Sequence, residues 1–271
     1  MRRGWLAAAA AAAAVPLSWG WFEAGWLRVR RLELAVPELD AGLAGLRILH
    51  LSDLHLGMPS RGEHAVEQAF DWAASSDADL VVITGDLVSR PRGEAGLKKL
   101  LGQLKTPTYA VLGNHDVEHS RDPFSRSAGL LELSPARLLV DEADTVELRG
   151  RRVQVVGVDP RSFRRGDSHP DGLVDKTAGL RILLCHFPRV LDSLAAGGFQ
   201  LVLAGHMHDG QITVPYVRGK LRLAHLGARY TTGVYERQNA VMHVSPGLGT
   251  TLVPFRFFAR PEATELVLQP A

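Results

Sequence analysis

Five short apolar runs in this 271-residue chain each stop at side chains of the kinds that bind metal ions. Leu46–Leu51 runs into Ser52-Asp53-Leu54-His55, and Leu80–Thr84 into Gly85-Asp86. Thr108–Leu112 runs into Gly113-Asn114-His115-Asp116. Leu180–Cys185 runs into His186-Phe187-Pro188, and Phe199–Ala204 into Gly205-His206-Met207-His208. A lone His or Asp at a strand end is ordinarily a hydrogen-bonded turn residue. The repetition of run, turn and ligand points instead to one shared site. Its inventory is Asp53, His55, Asp86, Asn114, His115, His186, His206 and His208. Mixed imidazole and carboxylate donors suit Mn, Fe, Zn or Ni better than Ca or Mg. So many donors exceed one tetrahedral zinc and suit two ions about 3.5–4 Å apart. Asp86, alone on its turn with two oxygens, is the expected bridge.

The elements that must position these groups follow from hydrophobic periodicity. Ala65, Val66, Ala69, Phe70 and Ala73 predict a helix over Glu63–Ala74. Leu97, Leu100, Leu101 and Leu104 predict another over Glu94–Leu104. Strand, helix and strand in alternation argue for a parallel sheet covered by helices. In such sheets the ligand crevice lies beyond the carboxyl ends of the strands, where all five motifs sit. Arg28–Leu34 alternates and reads as an edge strand. After a polar, irregular stretch from Val117 to Pro135 the chain becomes strand-rich, with runs at Thr145–Leu148, Arg152–Val158, Gln211–Val214, Leu221–His225, Ala240–Ser245 and Thr264–Leu268. Arg189–Ala196 reads as a helix. A second sheet packed on the first is expected.

Composition sets few further limits. A net charge of +2 is too small to argue for nucleic acid, and none is expected as a partner. The single cysteine, Cys185, allows no intrachain disulfide and reads as a buried hydrophobe. Arg161, Arg164 and Arg165 cluster and are candidate contacts for a substrate phosphate. Trp5–Phe22 is almost unbroken apolar sequence, with tryptophans toward both ends. A spanning helix needs about 20 residues, so residues 1–27 are expected to form a retained membrane anchor, with a signal peptide as the alternative. Residues 28–271 then form the catalytic domain. Arginines flank both sides of the apolar run, and the positive-inside rule leans weakly toward a cytoplasmic domain.

The motif series Asp-x-His, Gly-Asp, Gly-Asn-His-Asp, a single His and Gly-His-x-His, spanning Asp53 to His208, resembles the calcineurin-like metallophosphoesterase superfamily. The apolar N-terminus, Arg47–Gly57, Gly205–Ile212 and Tyr230–Arg256 are similar to its membrane-anchored bacterial phosphodiesterases. That branch includes the enzyme that splits UDP-2,3-diacylglucosamine in lipid A synthesis. The resemblance implies an α/β fold, a four-layer α/β/β/α sandwich of two mixed sheets flanked by helices, with an N-terminal anchor helix. It implies one ion on Asp53, His55, Asp86 and His208, and a second on Asp86, Asn114, His186 and His206, with Mn favoured. It further implies attack of a bridging hydroxide on a phosphodiester or pyrophosphate, His115 as general acid and Asp116 orienting its ring. The expected substrate is a lipid-linked or cell-envelope ester at the inner membrane. Soluble nucleotides are the alternative substrate class, and a non-catalytic metal-binding scaffold is the alternative role. The stretch Gly85-Asp86-Leu87-Val88-Ser89-Arg90-Pro91 departs from the Gly-Asp-x-Val-Asp-Arg-Gly of phosphoprotein phosphatases.

Overall fold

A computed structural model describes residues 14–117, 122–123, 125–126, 129–130, 132–217 and 219–271. In chain order the main elements are β1 (Arg28–Val36), β2 (Arg47–Leu51), α1 (Gly62–Ser75), β3 (Leu80–Thr84), α2 (Glu94–Leu101), β4 (Thr108–Val111) and β5 (Arg137–Leu138). They continue as β6 (Glu142–Leu148), β7 (Arg151–Val158), α3 (Pro160–Arg165), β8 (Leu180–Cys185), β9 (Leu201–Ala204), β10 (Thr213–Tyr216) and β11 (Gly219–Arg222). The last are β12 (Gly233–Arg237), β13 (Ala240–Val244) and β14 (Glu262–Pro270).

Two mixed sheets face each other. One runs β1-β14-β2-β3-β4-β5 and the other β12-β13-β9-β8-β7-β6. Within them β2, β3 and β4 are mutually parallel, as are β7, β8, β9 and β13. The central strands are mostly apolar because both faces are buried, with His50, Thr84, Arg181 and His243 among the polar exceptions. Side-chain alternation divides them: Ile48, Leu80 and Val82 meet Val155, Ile182, Leu184 and Leu203 between the sheets. Leu49, Leu51, Val81 and Ile83 point the other way, against Val66, Phe70, Leu97 and Leu101 of α1 and α2.

The structure departs from expectation at several points. The C-terminal strand β14 joins the first sheet, parallel to β1 and antiparallel to β2. The helix expected over Arg189–Ala196 is a single 3-10 segment, Pro188–Asp192. The Ala195 amide donates to Asp171 Oδ2 at 3.0 Å rather than continuing a helix. The outer face of the second sheet is therefore covered by this turn, by α3 and by loops carrying Phe187, Leu191, Phe199 and Tyr230. The fourth, helical layer is correspondingly thin.

Residues 14–24 are helical and pack on the chain's C-terminal part: the Ala259 amide donates to Glu23 Oε1 at 2.8 Å. Among the described residues no helix is long and apolar enough to cross a membrane. Residues 1–13 of the expected anchor lie outside them.

Phe70 is fully enclosed between α1 and the first sheet. Phe70→Ala removes a ring from a close-packed layer, and about 3–5 kcal/mol of stability should go with it. Urea unfolding checks this; a midpoint unchanged from wild type would place the ring outside the cooperative core.

Candidate metal centre

The carboxyl ends of β2, β3, β4, β8 and β9 meet at one end of the sandwich. Asp53, His55, Asp86 and His208 bring one ligand atom each to within 4.8 Å of the others, and so do Asp86, His186 and His206. Asp86 belongs to both groups. Its Oδ2 lies 3.3 Å from His186 Nε2 and 3.6 Å from His55 Nε2. Asn114 Oδ1 sits 3.2 Å from His186 Nε2, on the second group's side. Ring nitrogens also face each other, His55 Nε2 and His208 Nε2 at 3.0 Å and His206 Nδ1 and His186 Nε2 at 3.1 Å. Imidazole lone pairs converging so closely beside a buried carboxylate are a donor set that fits a pair of divalent cations.

The backbone needed to aim these groups is uncommon. Asp53, His55, Asp86, His206 and His208 all adopt positive φ, between 47° and 73°. For residues other than glycine each such conformation costs on the order of 1 kcal/mol or more. The turns also approach one another closely. A Cβ on Gly113 would collide with the Asp86 carboxylate, and one on Gly205 with the Ser52 hydroxyl.

Surrounding groups fix the rings. His186 Nδ1 lies 2.8 Å from the Thr84 carbonyl, which leaves Nε2 for the site. His55 Nδ1 lies 2.7 Å from Ser89 Oγ. The wholly buried Arg256 donates to the carbonyls of Pro246, Gly249 and Ala259, and its guanidinium lies 3.2 Å from His208 Nδ1, on the side of the ring away from the site.

A longer chain of hydrogen bonds ends on Asp53. Ser52 Oγ donates to Asp53 Oδ2 at 2.7 Å, and Thr84 Oγ1 to Ser52 Oγ at 2.8 Å. Thr84 Oγ1 lies 2.9 Å from His50 Nε2, and His50 Nδ1 lies 2.8 Å from His243 Nδ1. An ionised carboxylate only accepts. Donation therefore runs one way, from His243 through His50, Thr84 and Ser52 to Asp53. Both histidines are then neutral; burial pushes His243 down to about 3 and His50 well below the ordinary histidine value. His243 Nε2 ends the chain buried and without a hydrogen-bond partner.

His115 and Asp116 take separate tasks. His115 Nδ1 meets Ser125 Oγ at 2.9 Å, and its Nε2 lies 3.4 Å from Thr251 Oγ1 and 3.9 Å from Asp86 Oδ2. Asp116, expected to orient that ring, accepts from the amides of Leu87, Val88 and Gly113 instead. It ties the turn after β3 to the turn after β4, and Ser125 occupies the position at His115 Nδ1.

The donors lie on the floor of a cavity of about 920 Å³. Its walls carry Phe163, Phe187, Leu226 and Leu252, with Arg164, Arg189 and Arg229. Of the clustered arginines, only Arg164 lines it. Arg161 is held by both oxygens of Asp159, and Arg165 pairs with Asp167 at 2.9 Å. The ring of His225, without a motif in the sequence, lies tilted 5.7 Å from that of His206 on the cavity wall. Ser89, Ser125, Thr251 and Arg256 were invisible as site residues, since none stands in a recognisable spacing.

With this geometry in place, the comparison with known proteins is decisive. The family described as calcineurin-like phosphoesterase matches residues 46–210. The chain belongs to the calcineurin-like phosphoesterases. It is a metal-dependent hydrolase, of a family that works through a dinuclear divalent centre. This phosphoesterase is 30% identical over 226 residues to the uncharacterised metallophosphoesterase YkoQ of Bacillus subtilis, covering 81% of this chain and 82% of YkoQ. It is 27% identical over 276 residues to phosphodiesterase YaeI of Escherichia coli, covering 98% of each. It is 24% identical over 309 residues to UDP-2,3-diacylglucosamine pyrophosphatase LpxG of Chlamydia muridarum, covering 92% of each.

Two measurements test the donor set. Burial, with the neighbouring Asp86 charge, holds the Asp53 carboxyl up at about 6. Burial alone would depress His186, but the Asp86 and Asp53 carboxylates hold it up at about 9. A cation competes with a proton at both groups. Affinity for Mn should therefore rise from pH 5 to pH 8 with net proton release, read by calorimetry in buffers of different ionisation enthalpy; a flat profile would count against Asp53 and His186 as ligands. Separately, Thr84→Val keeps the shape and removes the relay hydroxyl. Mn affinity should fall about 10–100-fold, with Thr84→Ser restoring it; a folded Thr84→Val protein with wild-type affinity would leave the relay without a role.

Proposed function

We propose that this phosphoesterase hydrolyses a phosphodiester or pyrophosphate bond in a lipid-linked or cell-envelope substrate. The observation that carries this reading is the shared Asp86 at the floor of a large cavity with both cationic and apolar walls. When bound, two divalent cations, with Mn the favoured metal, generate a nucleophile from water at neutral pH and neutralise phosphoryl charge. The proposed ligands are Asp53, His55, Asp86 and His208 on one side, and Asp86, Asn114, His186 and His206 on the other. Asn114 offers a neutral oxygen and adds no negative charge where the phosphate sits. His115 points Nε2 at the cavity floor and is proposed to protonate the leaving oxygen, with Ser125 setting its orientation. Arg164 and Arg189 are suited to a second phosphate, and the stacked pair of Phe163 and Phe187, 5.3 Å between centroids, to a base or an acyl chain. The similarity to LpxG supports the lipid-linked class, and the apolar run from Trp5 to Phe22 supports tethering to the inner membrane.

The assignment separates by metal and turnover. Asp86→Ala should lose Mn binding and activity together. His115→Ala should keep Mn and lose about 10²–10⁴-fold in kcat, measured on UDP-diacylglucosamine, phosphatidyl lipids, cyclic nucleotides and a bis-aryl phosphate. Full turnover in His115→Ala would remove the general acid. Activity confined to soluble nucleotides would replace the lipid-linked substrate.

A further inference from the structure

The hairpin of β10 and β11 is inverted. Its register pairs Val214 with Leu221 and Tyr216 with Gly219, so these residues share one face, and Leu223 follows Leu221 on it. The other face holds Thr213, Lys220 and Arg222. That polar face is the one turned to the protein. Thr213 is buried, and Lys220 and Arg222 lie 3.0 and 2.8 Å from the buried Asp209 carboxylate. The apolar face is turned to solvent, with Tyr216 58% exposed and Val217 at the tip fully exposed. A lone two-stranded hairpin in water normally has the opposite arrangement, since burial of the apolar face is what stabilises it.

The exposed face does not stand alone. The Phe257 amide donates to the Gln211 carbonyl at 2.9 Å, which ties the hairpin's base to residues 252–258. Leu252, Val253 and Phe258 of that segment are exposed. Phe255 in turn meets Trp21 at 6.3 Å, and the Arg256 amide donates to Gly20 at 3.0 Å. This brings in the exposed rings of Trp19, Phe22 and Trp26, which contact one another. Leu226 and Leu252 carry the same apolar surface over the rim of the metal cavity. A continuous apolar surface of this extent marks an interaction site.

We infer that this surface docks into the headgroup layer of an anionic lipid bilayer, so that the catalytic cavity opens onto lipid rather than water. Three observations select a bilayer as the occupant. The apolar sequence Trp5–Phe22 leads directly into the patch. Tryptophans, which favour the membrane–water interface, are prominent in it. Its charge is also one-sided: residues 211–229 and 250–261 contain no Asp or Glu, Asp209 and Asp192 already hold Lys220, Arg222 and Arg229, and Arg61 and Arg260 stand beside the exposed rings. Arg260 lies over Trp26 at 3.7 Å and Arg61 over Phe22 at 5.8 Å, cations placed at the level of aromatic anchors. The inference rests on the proposed lipid-linked substrate, and it adds that a surface distinct from residues 1–13 holds the cavity mouth against the membrane.

The test uses the full chain in vesicles of phosphatidylcholine with phosphatidylglycerol. Cys185 is buried and its thiol is pushed up to about 12, so a thiol-reactive fluorophore labels an introduced cysteine selectively. Val217→Cys places the label at the hairpin tip. Lys176→Cys places it before β8, at the opposite end of the sheet. The Val217 label should shift to the blue and be quenched by lipid-borne quencher, and the Lys176 label should do neither. Equal water exposure of the two labels would overturn the inference and leave the chain tethered by residues 1–13 alone. Protection of the Val217 label without vesicles, rising with protein concentration, would overturn it in favour of a second copy of the chain. In a second arm, Val217→Glu with Leu221→Glu should lower hydrolysis of a vesicle-embedded ester about tenfold and leave hydrolysis of a soluble bis-aryl phosphate unchanged. Unchanged rates on both substrates would also overturn it. Loss of the soluble activity in the wild-type protein would instead defeat the functional reading, independently of the label result.

Discussion

Everything at the active end of this protein is arranged around one buried carboxylate, Asp86. It lies in contact range of His55, His115 and His186, and its Oδ1 accepts the His115 amide at 2.8 Å. Burial would raise its pKa, yet the surrounding imidazoles hold it well below the ordinary carboxylate range. Asp53, one turn away, feels that charge and is held up. Two acidic groups so close in a medium of low dielectric require positive charge between them. The imidazoles supply part of it when protonated, and a pair of divalent cations supplies it without the protons. The site is therefore built for ions and is electrostatically costly without them.

That demand explains features that look wasteful elsewhere. Left-handed backbone at Asp53, His55, Asp86, His206 and His208 persists because the parallel strands behind each turn are rigid and buried on both faces. Gly113 and Gly205 have no side chain because Asp86 and Ser52 occupy the space where one would begin. Asp116 binds three amides across two turns and so fixes the distance between the β3 and β4 ends. The relay from His243 to Asp53 crosses the core between the sheets, among mostly apolar side chains. A polar network there is tolerated because each member but the terminal His243 nitrogen is satisfied.

The strand ends were legible because two constraints coincide on them. A central parallel strand is largely apolar, and ligands stand within a few residues of its carboxyl end, so the change of character is abrupt. Leu80–Thr84 before Asp86 and Leu180–Cys185 before His186 match the observed strands to the residue. What failed to read out has a physical cause in each case. Arg189–Ala196 has helical composition, but Pro188 opens it and the Asp171 side chain captures the Ala195 amide. Asp116 and His115 are adjacent in sequence, which suggested a dyad, yet successive side chains on a turn diverge. Ser125 and Thr251 reach His115 from distant positions that no local spacing predicts. Arg161 and Arg165, candidates for a substrate phosphate, are instead engaged by Asp159 and Asp167, which flank α3 two residues away.

The two halves of the site consequently obey different rules. The floor is made from strand ends, where a shift of one residue would turn a ligand into the core, so its chemistry is fixed by the sheet. The walls come from α3, the 3-10 turn after β8, the chain between β9 and β12, and the segment after β13 that carries Thr251 and Leu252. These elements answer only to the substrate and to whatever surface the protein rests on. The inverted β10–β11 hairpin belongs to this second class. Its charged face is held by Asp209, the residue that follows the ligand His208, so the hairpin is tied to the metal end of the molecule while its apolar face is released outward. A hairpin anchored this way can change its outward face without disturbing a single ligand, so the surface beside the cavity is free to vary while the phosphoester floor stays fixed.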